Sequence, residues 1–278
     1  MNRCKLLSCH ARPWESLPWE EALERLGGLH CPAIEGFDSI YEQFREKVEL
    51  AQDRLRKEKL QWIALSARGN LANPENHGAI LKDAMLRTEF LHRMGASFLI
   101  METGPREIFQ SVRQDFQIVI NLLNELAKRC SDYDIQFCVQ PRVGDRMQTE
   151  DEIDRILTGV DTRDVTLCPD TGHLYRAELD PVHILKIYGS CIRHIHLSDI
   201  PKPAEPGERV GRDAERIFCP PGEGLLDFQR ILHELYTLNY EGWITFTFDP
   251  GERDPEDDVK TAWNFLDTLS QDMTTERG

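Results

Sequence analysis

The stretch PDTGHL holds Asp170, Gly172 and His173, and HIHLSD, one predicted strand later, holds His194, His196 and Asp199. A carboxylate and an imidazole at the ends of adjacent strands are the mixed oxygen and nitrogen donors that a divalent cation takes. The same pair also suits proton transfer. Gly172 lets the backbone turn, so that His173 returns its ring toward the pocket of Asp170. A histidine on an inner strand face is most often satisfied by the backbone, and that reading is kept for His194 but not for His196. The last strand-like segment, GWITFTFDP, alternates so that Thr245 and Thr247 share one face and Ile244, Phe246 and Phe248 the other.

These residues need a scaffold that gathers strand ends, and the chain offers one. Strand-like runs (CKLLSC from Cys4, PAIEGF, LQWIALSA, SFLIMETG, IQFCVQP, VTLCPDTGHL, IRHIHLSDI, WITFTFD) alternate with amphipathic segments. The helical segments include Tyr41 to Lys59, Gly78 to Met94, Phe109 to Arg129 and Asp227 to Leu238. Thr149 and Glu152 form a capping box ahead of one of them. Eight such pairs in 278 residues, with no composition break, predict one α/β domain over residues 1–278, a single (β/α)8 TIM barrel. No GxGxxG follows the first strand, which counts against a dinucleotide-binding open sheet.

In a barrel the inward side chains at the carboxyl ends of the strands converge. His10, Glu35, Arg68, Glu102, Gln140, Asp170, His196 and Thr247 are the polar candidates. Strand parity supports them, since Gln136, Cys138 and Gln140 share a face, as do Thr166, Cys168 and Asp170. The long segment from Pro201 to Gly224 lies on the same rim, and its Arg209, Arg212 and Arg216 are candidates to clamp an anionic substrate group.

Composition excludes several partners. A formal net charge of −15, from 48 acidic and 33 basic side chains, argues against nucleic acid and anionic membranes. No apolar run is long enough to span a bilayer and the N-terminal start does not read as a signal peptide, so a cytoplasmic protein is expected. None of the eight cysteines forms a CxxC pair, which points to reduced, buried thiols.

CPDTGHL, IRHIHLSD, GEGLLDFQRILHEL and LNYEGWITFTFDP, in this order, resemble the sugar-phosphate isomerase/epimerase superfamily, the xylose-isomerase-like TIM barrels, and within it the inosose (2-keto-myo-inositol) dehydratases. The resemblance is good from about Ile135 to Asp249 and implies one divalent metal (manganese, magnesium, cobalt or zinc) held by a strand-five Glu, a strand-six Asp, a strand-seven His and a strand-eight Glu. Here Asp170 and His196 match, His173 matches the histidine just outside the ligands, and Gln140 and Thr247 replace the two glutamates.

Those replacements change the chemistry. Three anionic ligands become one, which weakens the attraction for a hard cation. A glutamine cannot accept a proton near neutral pH, and a threonine is no general base without an activating neighbour. The resemblance therefore implies a divergent isomerase or lyase acting on a small polyoxygenated carbonyl compound. Asp170, His196 and Gln140 hold a weakly bound metal, or none; His173, Glu102 and His196 are the catalytic candidates; and Gln140, Arg142, Thr247, Arg212 and Glu35 bind substrate. The alternatives are a metal-independent isomerase or cyclase working by histidine and carboxylate acid–base groups, and a retired barrel that only binds. Glu102 has a second reading, an ion pair with Arg68 or Arg142. The expected partner is a small molecule, and a homo-oligomer is allowed.

Overall fold

The computed structural model describes residues 7–29, 31–106, 112–203 and 216–275, the side chains of 112–114 and 272–275 aside. Eight strands, β1 Leu7–His10, β2 Ala33–Gly36, β3 Gln61–Arg68, β4 Phe98–Glu102, β5 Gln136–Gln140, β6 Val165–Leu167, β7 His194–Leu197 and β8 Trp243–Phe246, form one parallel sheet in the order 6-5-4-3-2-1-8-7. Isolated parallel bridges from Leu167 to Ile192 and from Asp170 to His196 join its two edges. The result is the expected (β/α)8 barrel.

Two apolar regions hold it. Ala33, Ile63, Ala64, Ile100, Cys138 and Cys168 fill the inside of the ring, against Phe98 and Trp243. A larger core lies between the strands and the helices. Helix and strand periods of 3.6 and 2 deliver these two faces. Strands β1, β3, β4 and β5 end on the polar residues His10, Arg68, Glu102 and Gln140.

The segment from Tyr41 to Lys59 is two helices, Asp38–Phe44 and Val48–Glu58, broken by a turn whose Lys47 backbone lies at φ −134 ψ 45. Strand β6 ends at Leu167 rather than at Asp170. Pro169 has no N–H to give to a ladder, so only its carbonyl continues the pairing, accepting from His196 N at 2.9 Å. Strand β8 ends at Phe246, although Thr247 N still donates to Leu197 O at 3.0 Å. The capping box is present, with Glu152 Oε2 accepting from Thr149 N at 2.9 Å. Seven described cysteines are free thiols and all but Cys191 are buried, as expected; Cys4 lies outside the described residues. Among the described residues no helix is long and apolar enough to cross a membrane.

Candidate functional site

Register builds the mouth. Arg68 on β3 pairs with Glu102 on β4, and Glu102 with Gln140 on β5, so three polar strand ends stand side by side. Asp170 and His196 face each other across the join between β6 and β7. Together with His10, His173 and Thr247 they line a cleft of about 350 Å3. The eight strand ends chosen from parity thus converge, with one exception.

That exception is Glu35. Its carboxylate is fully buried beneath the cleft and does not line it, so it is not placed to bind substrate. The reason is its position on β2, where it pairs with Ala64, four residues before Arg68 on the neighbouring strand. There Glu35 Oε2 accepts from His194 Nε2 at 2.9 Å and from His196 Nε2 at 2.8 Å, while Oε1 accepts from Ser66 Oγ at 2.9 Å. Burial opposes ionisation of Glu35, but the His196 charge and the two imidazole hydrogen bonds outweigh it and hold the carboxyl well below its usual range. An ionised carboxylate only accepts, so both Nε2 atoms carry their protons. His194 is therefore not a backbone-satisfied histidine; its partners are Glu35 and the Thr245 hydroxyl, at 2.9 Å, and its Nδ1 is buried without a partner. Burial lowers the His194 pKa, which keeps the ring neutral.

His196 is the hinge between this buried layer and the cleft. Its Nδ1 lies 2.8 Å from the Gln140 amide nitrogen and 3.9 Å from Asp170 Oδ2. Burial pulls its pKa down, yet Glu35 and Asp170 outweigh burial and raise it. The Gln140 amide answers either state, because its NH2 donates to a bare Nδ1 and its oxygen, turned over, accepts from a protonated one.

Asp170 caps the short helix Thr171–Arg176, with Oδ1 accepting from His173 N at 3.0 Å and from the Ser198 hydroxyl. That leaves Oδ2 as the oxygen turned to His196. Gly172 is required for close approach rather than for a turn: a Cβ there would lie 2.4 Å from Ser198 Oγ and 2.7 Å from the Phe218 ring. His173 packs against Phe218 with ring centroids 4.6 Å apart, and its Nδ1 has no partner. Burial lowers the pKa of His173, and of His10, to about 4, so both rings are neutral at pH 7.

Glu102 takes its ion-pair reading, with Arg142 hydrogen-bonded to Oε1 and Arg68 at 3.9 Å. Arg216 is turned away from the cleft onto Asp258, because that buried carboxylate needs a cation, so it is no substrate clamp. Arg209 and Arg212 lie outside the described residues.

Parity also held residues that motif reading passed over. Ser198 shares the face of His194 and His196, and Asp249 that of Thr247. Asp249 lines the cleft, pairs with Arg12 at 3.0 Å, and accepts from Ile217 N and Phe218 N at 2.8 and 3.0 Å. Phe218, brought in from a distant loop, carried no sequence signal. Asp199 is a loop anchor, accepting from the backbone N–H of Ile200, Gly222, Gly224 and Leu226.

Residues 22–269 match the family model described as Xylose isomerase-like TIM barrel. This chain belongs to that family. It is 30% identical over 194 residues to the inosose dehydratase of Clostridium beijerinckii, covering 63% of each chain, and 28% identical over 189 residues to that of Geobacillus thermodenitrificans, covering 60% of this chain and 61% of the relative. The matched part is thus less than two thirds of those relatives. Among solved structures, the IOLI protein with a bound zinc atom superposes with a TM-score of 0.80 at 17% identity, covering 95% of this chain and 98% of that one. A probable 3-DHS dehydratase from Bacillus anthracis gives 0.77 at 14% identity, covering 94% and 98%.

Within the xylose isomerase-like barrels a divalent cation is the relevant group to test against these residues. Asp170 Oδ2 and His196 Nδ1, 3.9 Å apart, span a distance that two ligands of one ion can share after small shifts, and Gln140 adds an amide beside them. Only one of these donors is anionic. The set fits a nitrogen-tolerant ion such as zinc better than magnesium or calcium.

Proposed function

We propose that this chain is an isomerase- or lyase-type enzyme acting on a small polyoxygenated carbonyl compound of the inosose class in the cleft at the barrel mouth. The observation that carries this is the convergence of Gln140, Asp170 and His196, within 2.8 to 3.9 Å of the His196 Nδ1 atom, beside a buried neutral His173 lining the same cleft. The inosose dehydratase relatives support the substrate class.

The cleft supplies the groups that such chemistry needs. A neutral imidazole accepts a proton, and His173 is the base that takes one from the carbon beside the substrate carbonyl. Asp170, in the same pocket, favours the imidazolium that results. An isomerase returns that proton to the neighbouring position; a lyase delivers it to the departing hydroxyl, which leaves as water. The Thr247 hydroxyl and the Gln140 amide hydrogen-bond substrate hydroxyls, and Arg142, tied to Glu102, orients them from the opposite rim. A divalent cation held by Asp170, His196 and Gln140 would polarise the carbonyl. The Gln140 contact at His196 Nδ1 favours, as a second reading, a metal-independent version in which the same imidazole hydrogen-bonds the carbonyl.

The test is solvent-deuterium exchange into 2-keto-myo-inositol and a panel of ketohexoses, followed by NMR with purified protein. Exchange beside the carbonyl is expected, falling about 100-fold or more in His173→Gln. No exchange in any compound, or exchange undiminished in His173→Gln, rejects the proposal, while exchange that survives a strong chelator selects the metal-independent reading.

A further inference from the structure

We infer that the barrel interior holds a soft-metal site one layer beneath the mouth, formed by Cys168 Sγ and one ring nitrogen each of His194 and His196, and suited to zinc rather than to magnesium or manganese. It rests on the reading above and deepens it by naming the ion class and joining to His196 two residues, Cys168 and His194, that the mouth positions do not include.

The sulfur of Cys168, one ring nitrogen of His194 and one of His196 lie within 4.8 Å of one another, and all three residues are buried. Both histidines are already prepared as ligands. Each gives its Nε2 proton to the same oxygen of Glu35, at 2.9 and 2.8 Å, so Nδ1 is the nitrogen His194 has left to offer, while His196 Nδ1 is met by the Gln140 amide at 2.8 Å, a contact that an ion would displace. A carboxylate that fixes the ring and tautomer of a histidine from behind is the usual support of a metal-binding imidazole, and here one carboxylate supports two. His194 Nδ1 is the orphan of this network: the residue has no exposed surface, and that nitrogen has no hydrogen-bond partner. A buried polar atom without a partner costs stability unless something completes it. An ion between the three residues completes it.

Ligand softness sets the ion. One thiolate and two imidazoles are a zinc-type donor set, whereas hard cations take oxygen. On binding, Cys168 loses its thiol proton to solvent and forms the metal–sulfur bond, with no change of oxidation state. On the cleft side, Asp170 Oδ2 and the Gln140 amide adjoin His196. Cys138, a buried thiol of the same interior cluster, belongs to no such donor group among the described residues and is the natural control.

The experiment adds Co2+ to chelator-treated protein and reads absorption. One Co2+ per chain with a thiolate-to-cobalt charge-transfer band in the near ultraviolet is expected, together with tetrahedral visible bands. Cys168→Ser should abolish the sulfur band, Cys138→Ser should keep it, and Glu35→Gln should weaken Co2+ binding about 10- to 100-fold. Cobalt bound without a sulfur band, a sulfur band that survives in folded Cys168→Ser, or no cobalt binding at all overturns the site. If Cys168→Ser does not fold, X-ray absorption of the zinc-loaded protein decides: one sulfur with two imidazole nitrogens supports the site, and a shell without sulfur overturns it. Deuterium exchange is read separately, so the enzymatic reading can stand when this one falls.

Discussion

Two neighbouring strand pairs in the same ring are joined in different ways. Strands β3 and β4 pair in unbroken register over five residues, from Ala64–Phe98 to Arg68–Glu102. Strands β6 and β7 meet only at two isolated bridges, Leu167–Ile192 and Asp170–His196. Side chains finish what the backbone leaves open there. Thr171 Oγ1 donates to Ser198 O at 2.7 Å and accepts from Ser198 N at 3.0 Å, and Ser198 Oγ accepts from Gly172 N at 3.0 Å. Between β3 and β4 the backbone ladder makes the connection, whereas at the β6–β7 join side-chain hydrogen bonds take over where the ladder stops.

That contrast can be broken at graded cost. Glu35→Ala should be the most damaging change, since Glu35 is the shared acceptor of two buried imidazoles and of Ser66. A loss of about 3–5 kcal/mol in denaturant unfolding is expected. Ser198→Ala removes the hydroxyl that accepts from Gly172 N and reaches Asp170, for about 1–3 kcal/mol, and should also lower turnover. On the ladder side, Ile100→Val, in the buried ring interior, should cost about 0.5–1.5 kcal/mol and leave turnover unchanged. Equal effects of the last two on turnover would erase the distinction between ladder and join.

A separate effect is expected on pH dependence. Burial depresses His10 and His173 to about 4 in the folded chain from an ordinary 6.5, so the unfolded chain takes up protons first as pH falls. Their contribution is full above pH 6.5 and is lost as pH falls toward about 4. Thermal midpoints measured across that window should decline, and His173→Gln should make the decline shallower. An unchanged slope would mean that His173 titrates normally.

Much of the site was legible because strand parity is a local property. Gln140, Asp170, His196 and Thr247 each end an apolar run with a polar residue of inward parity, and the cleft gathers all four. Glu35 obeyed the same rule and still fell one layer too deep. Parity tells which way a side chain points, whereas height along the barrel axis comes from the register with a neighbouring strand. The irregularity between Ile34 and Glu35, where the register with β3 shifts, is invisible in a single strand's sequence.

The sequence by itself determined that eight strand–helix units occur and that Gln140 and Thr247 stand at the ends of the fifth and eighth strand-like runs. These are matters of periodicity and residue type, readable over a few residues. Only the tertiary structure decided that Glu35 serves His194 and His196, residues 159 and 161 positions away, that Glu102 is spent on Arg142, and that Arg216 turns to Asp258. Buried charge drives those choices. An ionised group removed from water must find its partners in whatever the folded ring brings near, and chain order does not encode that proximity.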